Sequence, residues 1–114
     1  MAKDDYHVIV YNILSYLYRC LKSGVGIEEA FLKADSPNVG VSEKYWSYII
    51  YHMQSDGLIE GVVLADNGLG DVPYPLELGR CRITPKGIEY LNYNSIMQKV
   101  KRFLKTAKEI TPFV

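Results

Sequence analysis

The sequence predicts an α+β fold, mainly helical, in which three helices precede a β-hairpin and two further helices close the chain. Three observations predict it. Apolar residues recur at three- and four-residue steps across residues 5–22, 27–34 and 43–56, the period of a helix with one buried face. The run Leu58-Ile59-Glu60-Gly61-Val62-Val63-Leu64 is followed by Asp66-Asn67-Gly68, a strand ending in a turn. Thr84-Pro85 then starts a new helix, with threonine as the cap and proline at the first helical position, where no N–H is needed.

Taken in order, the first helix carries Tyr6, Ile9, Val10, Ile13, Leu14, Leu17 and Leu21 on one face, with Asp4 or Asp5 able to cap it and Gly24 to end it. The second, at 27–34, places Ile27, Ala30, Phe31 and Ala34 together, with Glu28 and Glu29 favourable in its first turn. Ser36-Pro37-Asn38-Val39-Gly40 ends it. Ser42 caps the third helix, at 43–56, whose inward stripe is Trp46, Ile49, Ile50 and Met53 and which Gly57 stops. Its other face presents Lys44, Ser47, Tyr48, Tyr51, Gln54 and Ser55. The return strand ends at Cys81-Arg82-Ile83, and the Gly- and Pro-containing stretch 69–79 reads as an extended tip with irregular pairing. A fourth helix follows from Pro85 to about Tyr93, and a fifth at 95–110 sets Ile96, Val100, Phe103, Leu104 and Ala107 against five basic side chains.

With 114 residues, 48% of them hydrophobic and 23% charged, the chain suits a single domain over 1–114, its core at 4–94 and an amphipathic helix at 95–110. The start Met1-Ala2-Lys3-Asp4-Asp5 has no apolar leader and no stretch is a membrane span, so a cytoplasmic protein is expected. Two cysteines, Cys20 and Cys81, without a CxxC pair or a histidine cluster, signal no disulfide framework and no metal site; both read as small core hydrophobes. Neither a catalytic motif nor a phosphate-binding glycine loop is present, and the pairs Asp4-Asp5 and Glu28-Glu29 are explained by helix dipoles. No enzyme activity and no cofactor are expected.

Charge is unevenly spread. Net charge is zero, yet residues 95–114 carry five bases and one acid, whereas residues 1–94 carry eight bases and twelve acids. The body is acidic and the tail basic.

The phrases Ser55-Asp56-Gly57-Leu58-Ile59, leading into the hairpin, and Ile83-Thr84-Pro85-Lys86-Gly87, closing it behind three helices, resemble the winged helix-turn-helix superfamily. More narrowly, the chain resembles the YjcQ-like family of small winged-helix proteins from bacteria and their mobile elements. The residues that carry this are Tyr11-Asn12-Ile13-Leu14, Gly40-Val41-Ser42-Glu43, Asp56-Gly57-Leu58-Ile59, Thr84-Pro85-Lys86-Gly87-Ile88-Glu89-Tyr90-Leu91 and the lysine-rich last helix. The resemblance implies a DNA-binding or transcription-regulatory role, of phage or mobile-element origin, with the helix at 43–56 reading double-stranded DNA.

The residues available for such contact are Lys44, Tyr45, Ser47, Tyr48 and Tyr51 on the third helix, with Arg80 and Arg82 sharing one face of the return strand to grip a phosphate. The chemistry is thin, because that helix carries one base and no arginine, and arginine makes the commonest specific contact to guanine. Arg80 and Arg82 also fit a plainer role, balancing Glu60 or Glu77 across the hairpin. The alternative function is a protein-interaction or oligomerisation module without DNA binding, because ten tyrosines and an acidic body suit a protein partner. Ile96, Val100, Phe103 and Leu104 are candidates for a homodimer interface.

Overall fold

The computed structural model describes residues 6–37, 39–66, 68 and 70–94. Among them the chain forms three α-helices, a 3-10 turn and two small antiparallel sheets. Helix α1 spans Tyr6–Ser23, the 3-10 turn Glu29–Phe31, and α2 Glu43–Ser55. Strands β1 (Ile59–Glu60), β2 (Val63–Ala65), β3 (Tyr74–Glu77) and β4 (Arg82–Ile83) follow, and residues 85–94 form α3. The expected cap at Asp4 or Asp5 and the helix at 95–110 lie outside the described residues.

Both long helices end by the same chemistry. Gly24 and Gly57 adopt φ values of 72° and 81°, a conformation that costs glycine little. At α2 the Leu58 N–H then donates to the Met53 carbonyl and the Gly57 N–H to that of Gln54; at α1 Val25 and Gly24 donate to Cys20 and Leu21. Each is a Schellman termination, in which the last carbonyls find donors as the chain leaves the axis. At the other end of α2, Ser42 accepts the Tyr45 N–H at 3.2 Å, as its type predicts.

Burial follows the helical period. Ile9, Val10, Ile13, Leu14 and Leu17 of α1 meet Trp46, Ile49, Ile50 and Met53 of α2, with Leu58, Ile59, Leu78, Ile83 and Leu91 completing the core. Each large side chain moved fully out of water contributes roughly 1.5–3 kcal/mol, so this shared core fixes how α2 lies on α1. Leu21, expected on the same face, is exposed because α1 runs past the core in its last turn.

Residues 27–34 do not form the expected second helix. They make one 3-10 turn, and the buried side chains there are Leu32 and Ala34, while Ala30 and Phe31 face solvent. The segment's last carbonyls, which a helix of this length would leave without intrahelical donors, bond to the rest of the fold. The Leu32 carbonyl accepts the buried Trp46 indole N–H at 2.7 Å, and the Ala34 carbonyl accepts the Val41 N–H. A segment this short gains few helical bonds against the cost of nucleation.

The hairpin is a ribbon in two pieces. β1 pairs with β4 at its foot, Ile59 opposite Ile83 and Glu60 opposite Arg82; β2 pairs with β3 further out, with a register shift between Val63 and Leu64. Tyr74–Glu77 is thus a paired strand within the stretch expected to pair irregularly, and the register shift is that irregularity. Between the pieces, Gly61 passes so close to the turn before β4 that a Cβ would sit 2.0 Å from the Arg80 carbonyl oxygen. Val62 is satisfied instead by a side chain, accepting from Gln54 Nε2 at 3.1 Å and donating to Gln54 Oε1 at 2.9 Å. The Gln54 amide therefore acts as a short strand partner. It was expected on the open face of α2, and is turned towards the ribbon because the break leaves backbone groups to pair.

At the foot, Thr84 joins four segments. Its hydroxyl donates to the Gly57 carbonyl and accepts the Gly87 N–H at 3.0 Å, while its own N–H donates to the Leu58 carbonyl. Gly87 leaves no room for a side chain, since a Cβ there would lie 2.3 Å from the Leu58 oxygen and 2.7 Å from Ile83 Cγ1.

Cys81 is buried, as expected, whereas Cys20 is only half-buried. Burial pushes the Cys81 thiol from 9.0 up to about 12, against a smaller opposing pull from Arg82. The unfolded thiol ionises first as pH rises, so the stability this burial contributes is complete below about 9 and is lost as pH climbs through about 12.

Two outcomes are expected. Gly61→Ala and Gly87→Ala each lower unfolding free energy by about 1–3 kcal/mol or more, whereas Gly26→Ala, with open space around it, stays within about 0.5 kcal/mol; denaturant melts of the three decide it. Iodoacetamide at neutral pH modifies Cys20 well before Cys81 in the native protein and both alike in denaturant; equal native rates would contradict the burial of Cys81.

Candidate functional site

Helix α2 keeps one long side free of the core. Lys44, Tyr48 and Ser55 are exposed along it, with Tyr51 half-buried beside them. The wheel of α2 dictates this, because these positions lie opposite the stripe that meets α1.

Two walls flank this strip. On one side the ribbon folds back, so that Asp71, Val72 and Tyr74 meet Glu43, Lys44 and Ser47 around a depression of about 290 Å³. Ser47, expected as an open contact residue, is buried, because the ribbon lies beside the N-terminal half of α2. On the other side Ser42, Lys44, Tyr45 and Tyr48 line an open depression of about 500 Å³. Lys44, Tyr45 and Tyr48 are thereby brought together.

Beyond Tyr45 an aromatic file crosses from α2 to α1. Tyr51 meets His52 edge-on with ring centroids 5.1 Å apart, His52 lies 4.4 Å from Tyr48, and Tyr48 meets the Tyr6 edge at 6.4 Å. Tyr6 in turn packs edge-on against His7 at 5.4 Å, and His7 Nδ1 is hydrogen-bonded to the Tyr90 hydroxyl at 3.0 Å. Such edge and tilted contacts suit the ring quadrupoles and hold the file in one arrangement. Burial, then the Asp56 carboxylate, raises the Tyr6 phenol above its ordinary value; burial does the same to Tyr90, against the opposing bond from Asn94. Both rings stay neutral donors through the physiological range.

Sequence reasoning found Tyr48 and Lys44 but missed Tyr6, His7 and His52. The i,i+4 spacing of Tyr48 and His52 was a usable signal; the approach of α1 was not, because it depends on how the two helices cross.

The expected arginine pair is not assembled. Arg80 lies in the turn closed by the Cys81 N–H and the Leu78 carbonyl, before β4 begins, so it does not alternate with Arg82 along a strand. Arg82 donates through Nε to the Glu60 carboxylate at 2.8 Å, directly across the β1–β4 pair. It plays the plainer role, that of a solvent-facing ion pair, which typically contributes under about 1 kcal/mol. Ile96, Val100, Phe103 and Leu104 lie outside the described residues.

The electrostatics of the strip are mixed. Glu43, Asp56 and Asp71 are exposed around it, as are Lys44 and, against Gly57 at the C-terminal end of α2, Lys86. Among the described residues no group of three metal-binding side chains is present, and no helix is long and apolar enough to cross a membrane.

No curated protein and no solved structure matches this chain. A family model described as YjcQ protein matches residues 11–110, which takes in α1 from Tyr11 onward, α2, the whole ribbon and α3. On that coverage the chain belongs to the YjcQ family.

Proposed function

We propose that this is a winged helix-turn-helix domain in which the ribbon is the wing, and that the open side of α2 docks a protein partner presenting basic side chains. The element order supports the first part: two helices in contact, a turn between them, an antiparallel ribbon after the second and a helix closing its foot. The second part is carried by one observation. Tyr48, 46% exposed, stands between Tyr6 and His52 in the aromatic file, on a helix that exposes Glu43 at its start and Asp56 at its end. Ring faces and carboxylates both attract Lys and Arg. Tyrosine and histidine also give contact area at little entropic cost.

Double-stranded DNA is the second reading, and would make the chain a transcription regulator. It is favoured by Lys44, exposed in the same depression as Tyr45 and Tyr48, and by the five bases of residues 95–114. Those bases would supply the counterion release that α2 cannot.

Capture from native lysate with and without nuclease separates the two. The protein reading expects partners that survive nuclease and are depleted tenfold or more by Tyr48→Ala, at unchanged thermal stability. Capture abolished by nuclease, with retention of DNA fragments that falls steeply with salt and on Lys44→Ala, would establish the DNA reading instead. Capture indifferent to both substitutions would remove α2 from either role.

A further inference from the structure

Ser47 is 9% exposed, and what it exposes lines the depression between α2 and the ribbon. Its hydroxyl has no hydrogen-bond partner among the described residues. A polar side chain so nearly buried is normally paired, so this hydroxyl, turned into the depression, is open to a ligand.

The rest of the lining indicates which ligand. Glu43 and Asp71 contribute two carboxylates and Lys44 one ammonium, and none of the three is in an ion pair among the described residues. These groups sum to one negative charge, which a single cation balances. Tyr74, 43% exposed, adds an aromatic ring and Val72 an apolar contact. At about 290 Å³ the space lies at the lower edge of pockets that take a whole small molecule, roughly 300–1,000 Å³, and suits one long side chain.

We propose that this depression takes one arginine side chain of the protein partner. The proposal rests on the docking of a basic partner on α2 and names the group that enters beside it. Lys44 lines both this depression and the one bordered by Tyr45 and Tyr48, so a partner laid on Tyr48 has the depression next to it. A guanidinium suits the lining better than an ammonium. Its five N–H donors in one plane can serve two carboxylates and the Ser47 oxygen together, and its face can stack on the Tyr74 ring. An anion could use Lys44 and the Ser47 hydroxyl as donors, but it would meet both carboxylates.

Selection of a displayed random-peptide library on the full chain, followed by anisotropy titration of the selected peptides, tests this. The expected peptides share one arginine. They bind tenfold or more weakly when citrulline, its neutral isostere, replaces that arginine, and about threefold more weakly with lysine. Asp71→Asn and Tyr74→Ala, both at exposed positions, are each expected to weaken the arginine peptide while leaving the citrulline peptide unchanged, a coupling that a merely structural effect would not produce. Equal binding of the lysine peptide would overturn the choice of arginine. Peptides lost on Tyr48→Ala, yet indifferent to citrulline and to Asp71→Asn, would leave the docking on α2 standing and overturn the arginine site. Selected peptides rich in Asp or Glu and lost on Lys44→Ala would overturn it in favour of an anion. No selected peptide, or peptides indifferent to Tyr48→Ala and Asp71→Asn alike, would overturn it together with the docking reading.

Discussion

The Thr84 hydroxyl holds together the part of the molecule on which the rest depends. It donates to the Gly57 carbonyl at the end of α2 and accepts the Gly87 N–H in the first turn of α3. The Thr84 N–H meanwhile closes onto Leu58 at the start of the ribbon. One residue thus ties the exit of a helix, both ends of the hairpin and the entry of the next helix. Gly87 permits this because any side chain there would collide with the Leu58 carbonyl. The knot is local in space but spans 27 residues of sequence between Gly57 and Thr84, so it forms only once the ribbon has closed.

What the knot achieves is the presentation of α2. A helix packed by Trp46, Ile49, Ile50 and Met53 could still rotate on its neighbours if its end were loose. Here the Schellman termination at Gly57, the Thr84 clamp and the Gln54–Val62 amide pair fix that end on three sides. The Trp46 indole bond to Leu32 fixes the other half from behind. Tyr48 and Lys44 therefore project from a helix that is held along its length.

Much of this was legible in the sequence, and the reason is that it is local. Ser42 as cap, Gly57 as stop, Thr84-Pro85 as start and the four-residue stripe of α2 each follow from chemistry within a few positions. The failures share the opposite cause. The 27–34 segment is too short to repay helix nucleation alone, and its course is set by Trp46 and Val41, which bond its last carbonyls from afar. Ser47 and Gln54 are withdrawn from the open side by a ribbon that doubles back, which no window of α2 contains. Arg80 falls out of the strand because the chain turns between Leu78 and Cys81. For the candidate site the helical wheel placed Tyr48 and Lys44 correctly, whereas Tyr6 and His7 join the aromatic file only through the crossing of α1 over α2.

The central claim is that the ribbon foot is as firm as the core and holds α2 in place. Native-state hydrogen exchange measures this amide by amide. The N–H groups of Leu58, Val62, Thr84 and Gly87 are expected to exchange only through global unfolding, at the rates of the α1 core. Those of Asp71 and Val72 at the ribbon tip should exchange far faster. Rates for Thr84 and Gly87 as fast as those of the tip would contradict the claim, because α2 would then have no fixed end.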